Sequence, residues 1–147
     1  MCMYTYRAII NRIVDGDTVD VDIDLGFSMW MRNARIRLKD LDAPEQRTRD
    51  LTVKTFGLAA TARLEEMLPV GLECVLITSL DTNDKFGRIL GAFWSGVAPG
   101  FDNQTVNDCM INEGHAVPYY DGSNRSLLAG LHEKNRQRLI AEGKVVI

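Results

Sequence analysis

The run Arg35-Ile36-Arg37-Leu38-Lys39-Asp40-Leu41-Asp42-Ala43-Pro44-Glu45 sets cations and carboxylates side by side in one short segment. Its first half alternates basic with apolar residues, so Arg35, Arg37 and Lys39 share one side of a strand. Its second half is a polar corner, and a guanidinium can stand beside the mouth where Asp42 and Glu45 sit. One segment thus offers a cation, a metal ligand and a base. Pro44 fixes its own φ and pushes Ala43 out of helical geometry, which leaves the Ala43 carbonyl pointing away from any ladder and able to bind something.

Other elements must hold that corner in place. Tyr4 to Val14 is rich in Tyr, Ile and Val and reads as a strand. Asp15-Gly16 follows as a hairpin signal, so Asp17 to Leu25 returns as a second strand, with Val19, Val21, Ile23 and Leu25 inward and Thr18, Asp20, Asp22 and Asp24 outward on a solvated face. Asp17 differs from these aspartates in sitting at the turn's exit. Gly26 to Asn33 reads as a bend whose Phe27, Met29, Trp30 and Met31 pack to close a barrel end. Gln46 to Thr55 reads as a polar loop, and from about Phe56 a helix of about three turns shows a stripe of Leu58, Ala62, Leu64, Met67 and Leu68 before Pro69 and Gly71. Leu72 to Leu80 reads as a strand mostly buried on both faces, and Asp81 to Asp84 as a turn. Ile89 to Trp94 is a further strand, and Ser95 to Asp102 a loop. Helices at Val106–Glu113 and Asn124–Glu142 end at Gly114 and Gly143. The sum is five strands and three helices: an α+β fold on a small antiparallel barrel.

The 147 residues suit one domain spanning 1–147, with 46% hydrophobic residues for a single core and no linker, repeat or low-complexity run. Cys2, Cys74 and Cys109 are odd in number and far apart, against a disulfide framework or zinc site and in keeping with a reducing cytoplasm. Residues 1–14 lack the pattern of a secretory signal, and no stretch is long and apolar enough for a membrane span. The net charge of −3 argues against a uniformly basic coat. Its distribution is uneven: residues 1–24 carry −3, while 32–54 and 125–144 each carry +3. Locally basic surface can therefore face a polyanion.

In order and spacing, Asp15-Gly16-Asp17-Thr18, Arg37-Leu38, Asp42-Ala43-Pro44-Glu45, Asp84-Lys85-Phe86-Gly87-Arg88, Val106-Asn107 and Gly114-His115-Ala116 resemble the staphylococcal nuclease (thermonuclease) family. The likeness covers nearly the whole chain. It implies a five-stranded antiparallel OB-fold barrel with three helices and a calcium-dependent phosphodiesterase acting on DNA and RNA, leaving 3′-phosphate ends. By position it makes Asp17 and Asp42 the Ca2+ carboxylates, with the Ala43 carbonyl as a third ligand, and Arg37, Glu45 and Arg88 the catalytic trio. Lys85 resembles a phosphate-contacting lysine, and Tyr119 and Tyr120 fall near base-stacking tyrosines. Phe86 stands where the family commonly has tyrosine, and Asp40 adds a carboxylate where a small residue is usual.

Calcium takes about six to eight oxygens, so two carboxylates and one carbonyl leave room for water and a phosphate. Arginine suits a phosphoryl group because its planar fork donates paired bonds and keeps its charge. Taken alone, Arg37 could instead pair with Asp40, and Arg88 with an acid of the Asp81–Asp84 turn. His115 and His132 have no ligand-like partner nearby in sequence and read as structural or exposed. The contrasting function is a nucleic-acid or protein docking barrel without catalysis, since relatives of such domains can lose their active residues. Nothing marks an obligate protein partner, and the compact size would suit a phage or bacterial intracellular enzyme.

Overall fold

A computed structural model describes residues 4–80, 88–94, 104–119 and 124–146. Strand β1 (Thr5–Asp15) turns at Gly16-Asp17 into β2 (Thr18–Gly26), which pairs in turn with β3 (Met29–Leu38). After the two-residue β4 (Leu41–Asp42) comes helix α1 (Leu51–Met67), then β5 (Glu73–Leu80) and β6 (Ile89–Trp94). Helix α2 (Val106–Asn112), the short β7 (Val117–Pro118) and helix α3 (Arg125–Ala141) complete the order. Five strands close as β1-β2-β3-β6-β5, and β4 pairs with β7 in a separate two-stranded sheet.

The barrel is not wholly antiparallel. Four of its neighbour pairs are, but β3 and β6 run parallel, with Ile36 opposite Ile89 and Leu38 opposite Gly91. Parity compels this: strand direction cannot alternate all the way round a ring of five, so one seam must join like directions. The core lies inside the ring and beneath α1 and α2, where Ala8, Ile10, Val19, Val21, Ile36 and Phe93 are among the buried residues.

Several expectations need correction. The Gly26–Asn33 segment is no barrel-closing bend but the tip of a long hairpin, turned by Phe27 and Ser28 at φ 55° and 62°. Phe27 is fully exposed and Met29 and Met31 are exposed, while half-buried Trp30 lies under the guanidiniums of Arg7 and Arg32, 5.4 and 4.8 Å from its centroid. Leu25, read as inward, is exposed as well. Asp20, Asp22 and Asp24 are not simply solvated: each pairs with an arginine of a neighbouring strand, Arg35, Arg32 and Arg7 respectively, and Asp20 is buried. Strand β5 buries only Cys74 and Leu76, and its other described positions are exposed or half-buried.

Helix α1 starts earlier than its apolar stripe suggests, because Asp50 caps it by accepting from the Thr52 and Val53 N–H groups. Its inward face is Phe56, Gly57, Ala60, Thr61 and Leu64, while Leu58 and Ala62 face out. Helix α2 opens with a capping box between Thr105 and Asp108. Helix α3 buries only Leu139 fully, in a small cluster with Phe56 and Val145. Among the described residues, no helix is long and apolar enough to cross a membrane. The Asp81–Asp84 turn and the Ser95–Asp102 loop fall outside the described residues, as does Cys2, whereas the Cys74 thiol is buried and the Cys109 thiol half-buried.

Candidate functional site

A cluster of charged side chains forms where the β1–β2 turn meets the end of β3. Asp17 leaves that turn with its amide donating to Asp15 Oδ1 at 3.1 Å, and its carbonyl accepts from Leu38 N at 2.8 Å, which pins the turn to β3. Opposite Thr18, Arg37 reaches into the corner, with Nη1 3.0 Å from Asp17 Oδ2 and Nη2 3.7 Å from Asp42 Oδ1. A bond from Nη2 to the Leu41 carbonyl at 3.2 Å fixes the fork. Arg37 therefore pairs with the two carboxylates named from the sequence, and not with Asp40, which is exposed at φ 63°.

Two close approaches bring the corner together. A Cβ on Gly16 would lie 2.9 Å from the Cβ atoms of both Ala43 and Ala60, so only glycine lets the turn pack between the Asp42–Pro44 segment and α1. A Cβ on Gly57 would meet the Glu45 backbone at 2.7 Å, so the bare face of α1 seats the residue that carries the Glu45 carboxylate. Gln46 braces the same loop, donating to the Val14 carbonyl and accepting from the Thr61 hydroxyl. Asn107 of α2 accepts from Phe93 N and donates to the carbonyls of Lys39 and Gly91, stitching the end of β3 to β6.

The electrostatics follow from this crowding. Burial opposes the charge on Asp17, but Arg37, a hydrogen bond from Asp15 and the Ala43 N–H at 3.2 Å outweigh it, holding the Asp17 carboxyl below the usual range. Asp15 is driven the other way, up to about 6, by burial first and then by its neighbour Asp17. Burial also opposes the charge on Arg37, yet Asp17, Asp42 and Asp15 keep it firmly cationic. Neither Gly16, Gly57 nor Asp15 was singled out for the site from the sequence. Their signal is the Asp-Gly-Asp spacing and a glycine inside a helix, where glycine is costly without a packing reason.

Glu45 is exposed beyond Pro44, its Oε1 accepting from Arg47 N at 3.0 Å. Arg88 is exposed, and carrying the β3–β6 register back one step sets it level with Arg35, on the outward side shared with Arg37. Arg35 itself is held by a two-pronged bond to Asp20 at 2.9 and 3.2 Å. Exposed Tyr119 donates its backbone N–H to the Asp40 carbonyl at 2.9 Å, next to the corner. Lys85, Phe86 and Tyr120 lie outside the described residues.

His132, read from the sequence as structural or exposed, is half-buried and makes a side-chain bond. It projects from α3 with Nε2 2.8 Å from Asp42 Oδ2, although ninety positions separate the two residues. The available signal was helical period: Leu128, His132, Asn135 and Leu139 fall on one stripe of α3, and all are at least half-buried. His115 keeps its structural reading, buried near the end of α2 with its N–H bonded to the Met110 carbonyl at 2.9 Å.

Among the described residues, no three His, Cys, Asp or Glu side chains form a ready metal cluster. The donor set expected here is smaller, two carboxylates and a carbonyl. Two carboxylates already turned on one guanidinium fit a hard divalent cation, since that is the oxygen chemistry such ions take and a positive charge already sits between them. An apolar hollow of about 480 Å³ lined by Tyr4, Tyr6, Ile23, Leu25 and Met31 among others shares no residue with this cluster.

Comparison with known proteins agrees with the fold. A relative described as Protein ParB, from Escherichia coli, is 35% identical over 116 residues, covering 77% of this chain and 57% of that protein, so the chain spans little more than half of it. A Micrococcal nuclease from Shigella flexneri is 33% identical over 140 residues, which cover 91% of this chain and 72% of the relative. The Thermonuclease of Staphylococcus intermedius is 30% identical over 88 residues, 60% of this chain and 48% of that one. Residues 35–138, from the arginine-rich strand through most of α3, match the family described as Staphylococcal nuclease homologue, and to that family this chain belongs.

Proposed function

We propose that this chain is a calcium-dependent nuclease that hydrolyses phosphodiester bonds of DNA and RNA with little sequence preference, leaving 3′-phosphate ends. The observation that carries this reading is the convergence of Asp17 and Asp42 on the Arg37 guanidinium at 3.0 and 3.7 Å. Family membership supports the reaction class, as do relatives whose names are micrococcal nuclease, thermonuclease and endonuclease.

Asp17, Asp42 and the carbonyl of Ala43 would hold Ca2+. When bound, the ion supplies Lewis-acid polarisation of a phosphoryl oxygen. The remaining work belongs to side chains. Negative charge grows on the phosphoryl oxygens in the transition state, and Arg37 and Arg88 donate to them from one side of the β3–β6 wall. Arg37, held by Asp17 and Leu41, meets that charge with little reorganisation. Glu45 takes the proton of the attacking water, its backbone seated against Gly57. Tyr119 offers a ring on which any base can stack, which suits cutting without sequence preference.

A plasmid-nicking assay with calcium and with chelator, run on the parent, Glu45→Gln and Arg88→Ala, tests the reading. The parent should nick only with calcium, and each variant should lose about 10²- to 10³-fold in turnover. A parent inert in calcium would discard it in favour of a barrel that only binds nucleic acid or a protein partner.

A further inference from the structure

We propose that His132 is a positioning residue for the Asp42 carboxylate, and that through this bond the seating of α3 is coupled to a cation in the site. The inference rests on the reading of Asp42 as a cation ligand and adds a residue that the site's own segment does not contain.

The geometry fixes what the ring does. An ionised Asp42 can only accept, so the 2.8 Å contact is a bond donated by Nε2 to Oδ2. Nδ1 is buried and meets no hydrogen-bond partner among the described residues. A proton on Nε2 alone satisfies both facts, since Nδ1 then carries a lone pair and no stranded N–H. The imidazole thus holds one carboxylate oxygen while the other, Oδ1, is turned towards Arg37 and the Asp17 side of the corner. A carboxylate gripped at one oxygen presents the second without paying to immobilise the group when a cation arrives.

The grip runs both ways because α3 has few other anchors. Leu139 is its one fully buried side chain, and Asn135 donates to the Ala116 carbonyl at 3.1 Å. His132 supplies a third anchor about two turns from Leu139, and it ends on the candidate ligand itself. Coupling between two such events is reciprocal: if a seated helix favours the bound ion, the bound ion favours the seated helix.

The test uses the full chain as wild type, His132→Leu and His132→Gln. Leucine keeps the bulk and the helix propensity but loses the donor, while glutamine keeps a donor at similar reach. Calcium affinity is read by titration calorimetry and the seating of α3 by amide hydrogen exchange with and without calcium. Affinity should weaken about tenfold or more in His132→Leu and by less than about threefold in His132→Gln. Calcium should slow exchange across α3 in wild type and His132→Gln, but not in His132→Leu.

Equal affinity in wild type and His132→Leu would overturn the proposal alone, as would a glutamine variant as weak as the leucine one. Failure of the wild type to bind calcium would overturn both this inference and the metal reading. If His132→Leu does not fold, unchanged α3 exchange in the wild type on adding calcium is the refuting result.

Discussion

Arg37 holds together two carboxylates that would otherwise repel. Its removal leaves Asp17 with only Ala43 N–H and its turn neighbours against the cost of burial. Arg37→Met should therefore destabilise the calcium-free protein by about 1–3 kcal/mol, less than for a fully buried pair because Asp42 is partly solvated. Added calcium should restore part of that loss; thermal unfolding with and without the ion checks it, and a variant as stable as its parent would show the pair to be dispensable. His115 sets a different expectation. Burial lowers its pKa, so the native state holds it neutral while the unfolded chain takes up a proton below about 6.5. Its contribution is present above that pH and is lost as pH falls towards the depressed native value. Urea unfolding between pH 7 and 5 should thus show a shallower acid loss in His115→Gln than in the wild type. At this scale the turn and strand pattern marks where Asp17, Asp42 and Arg37 stand, while it is the family resemblance that groups them as one site. The pattern does not single out His132, whose partner lies ninety positions away and whose bond to Asp42 comes only from the docking of α3.

The elements that were legible are those whose ends carry a local signal. The bounds of α2 and α3 fell within a residue of those read from the sequence, since Thr105 and Asn124 cap them and Gly114 and Gly143 follow them. The start of α1 lies before the apolar stripe because Leu51 is exposed and Val53 only half-buried, so only the Asp50 cap marks it. The β2–β3 hairpin was misread as packing because aromatic and Met side chains usually seek a core, while here the strands simply run on into solvent. Glycines within helices supply a paired test. Alanine normally gains about 0.5–1 kcal/mol over glycine in a helix. Gly130 of α3 has nothing within 4 Å of an added Cβ, so Gly130→Ala should raise the melting temperature. Gly57→Ala should lower it and cut nicking activity as well, since the new methyl displaces the Glu45 backbone. Equal stabilisation by both would mean that the Glu45 loop yields freely.

For the molecule as a whole, an acidic total coexists with a cationic strand at the corner, so contact with a polyanion must be local. With Glu45→Gln as a silent binder, fluorescence anisotropy on single-stranded DNA from 50 to 200 mM salt should give a log–log slope of about −1.5 to −2 if two or three phosphates are neutralised. A flat line would rule out the corner as an electrostatic docking point. The fold class followed from the strand and helix pattern, but the parallel seam between β3 and β6 did not. Periodicity reports which face of a strand is buried and is silent on which strands become neighbours once the ring shuts.

That seam also sets the order in which the proposed site can assemble along the growing chain. Ile36 must find Ile89 across more than fifty intervening residues before Arg88 comes level with the strand bearing Arg37, and His132 emerges later still from the ribosome. A nascent polypeptide therefore carries both carboxylates and Arg37 before Arg88 can stand beside them, and the proposed pair of cations exists only after β6 has closed on β3.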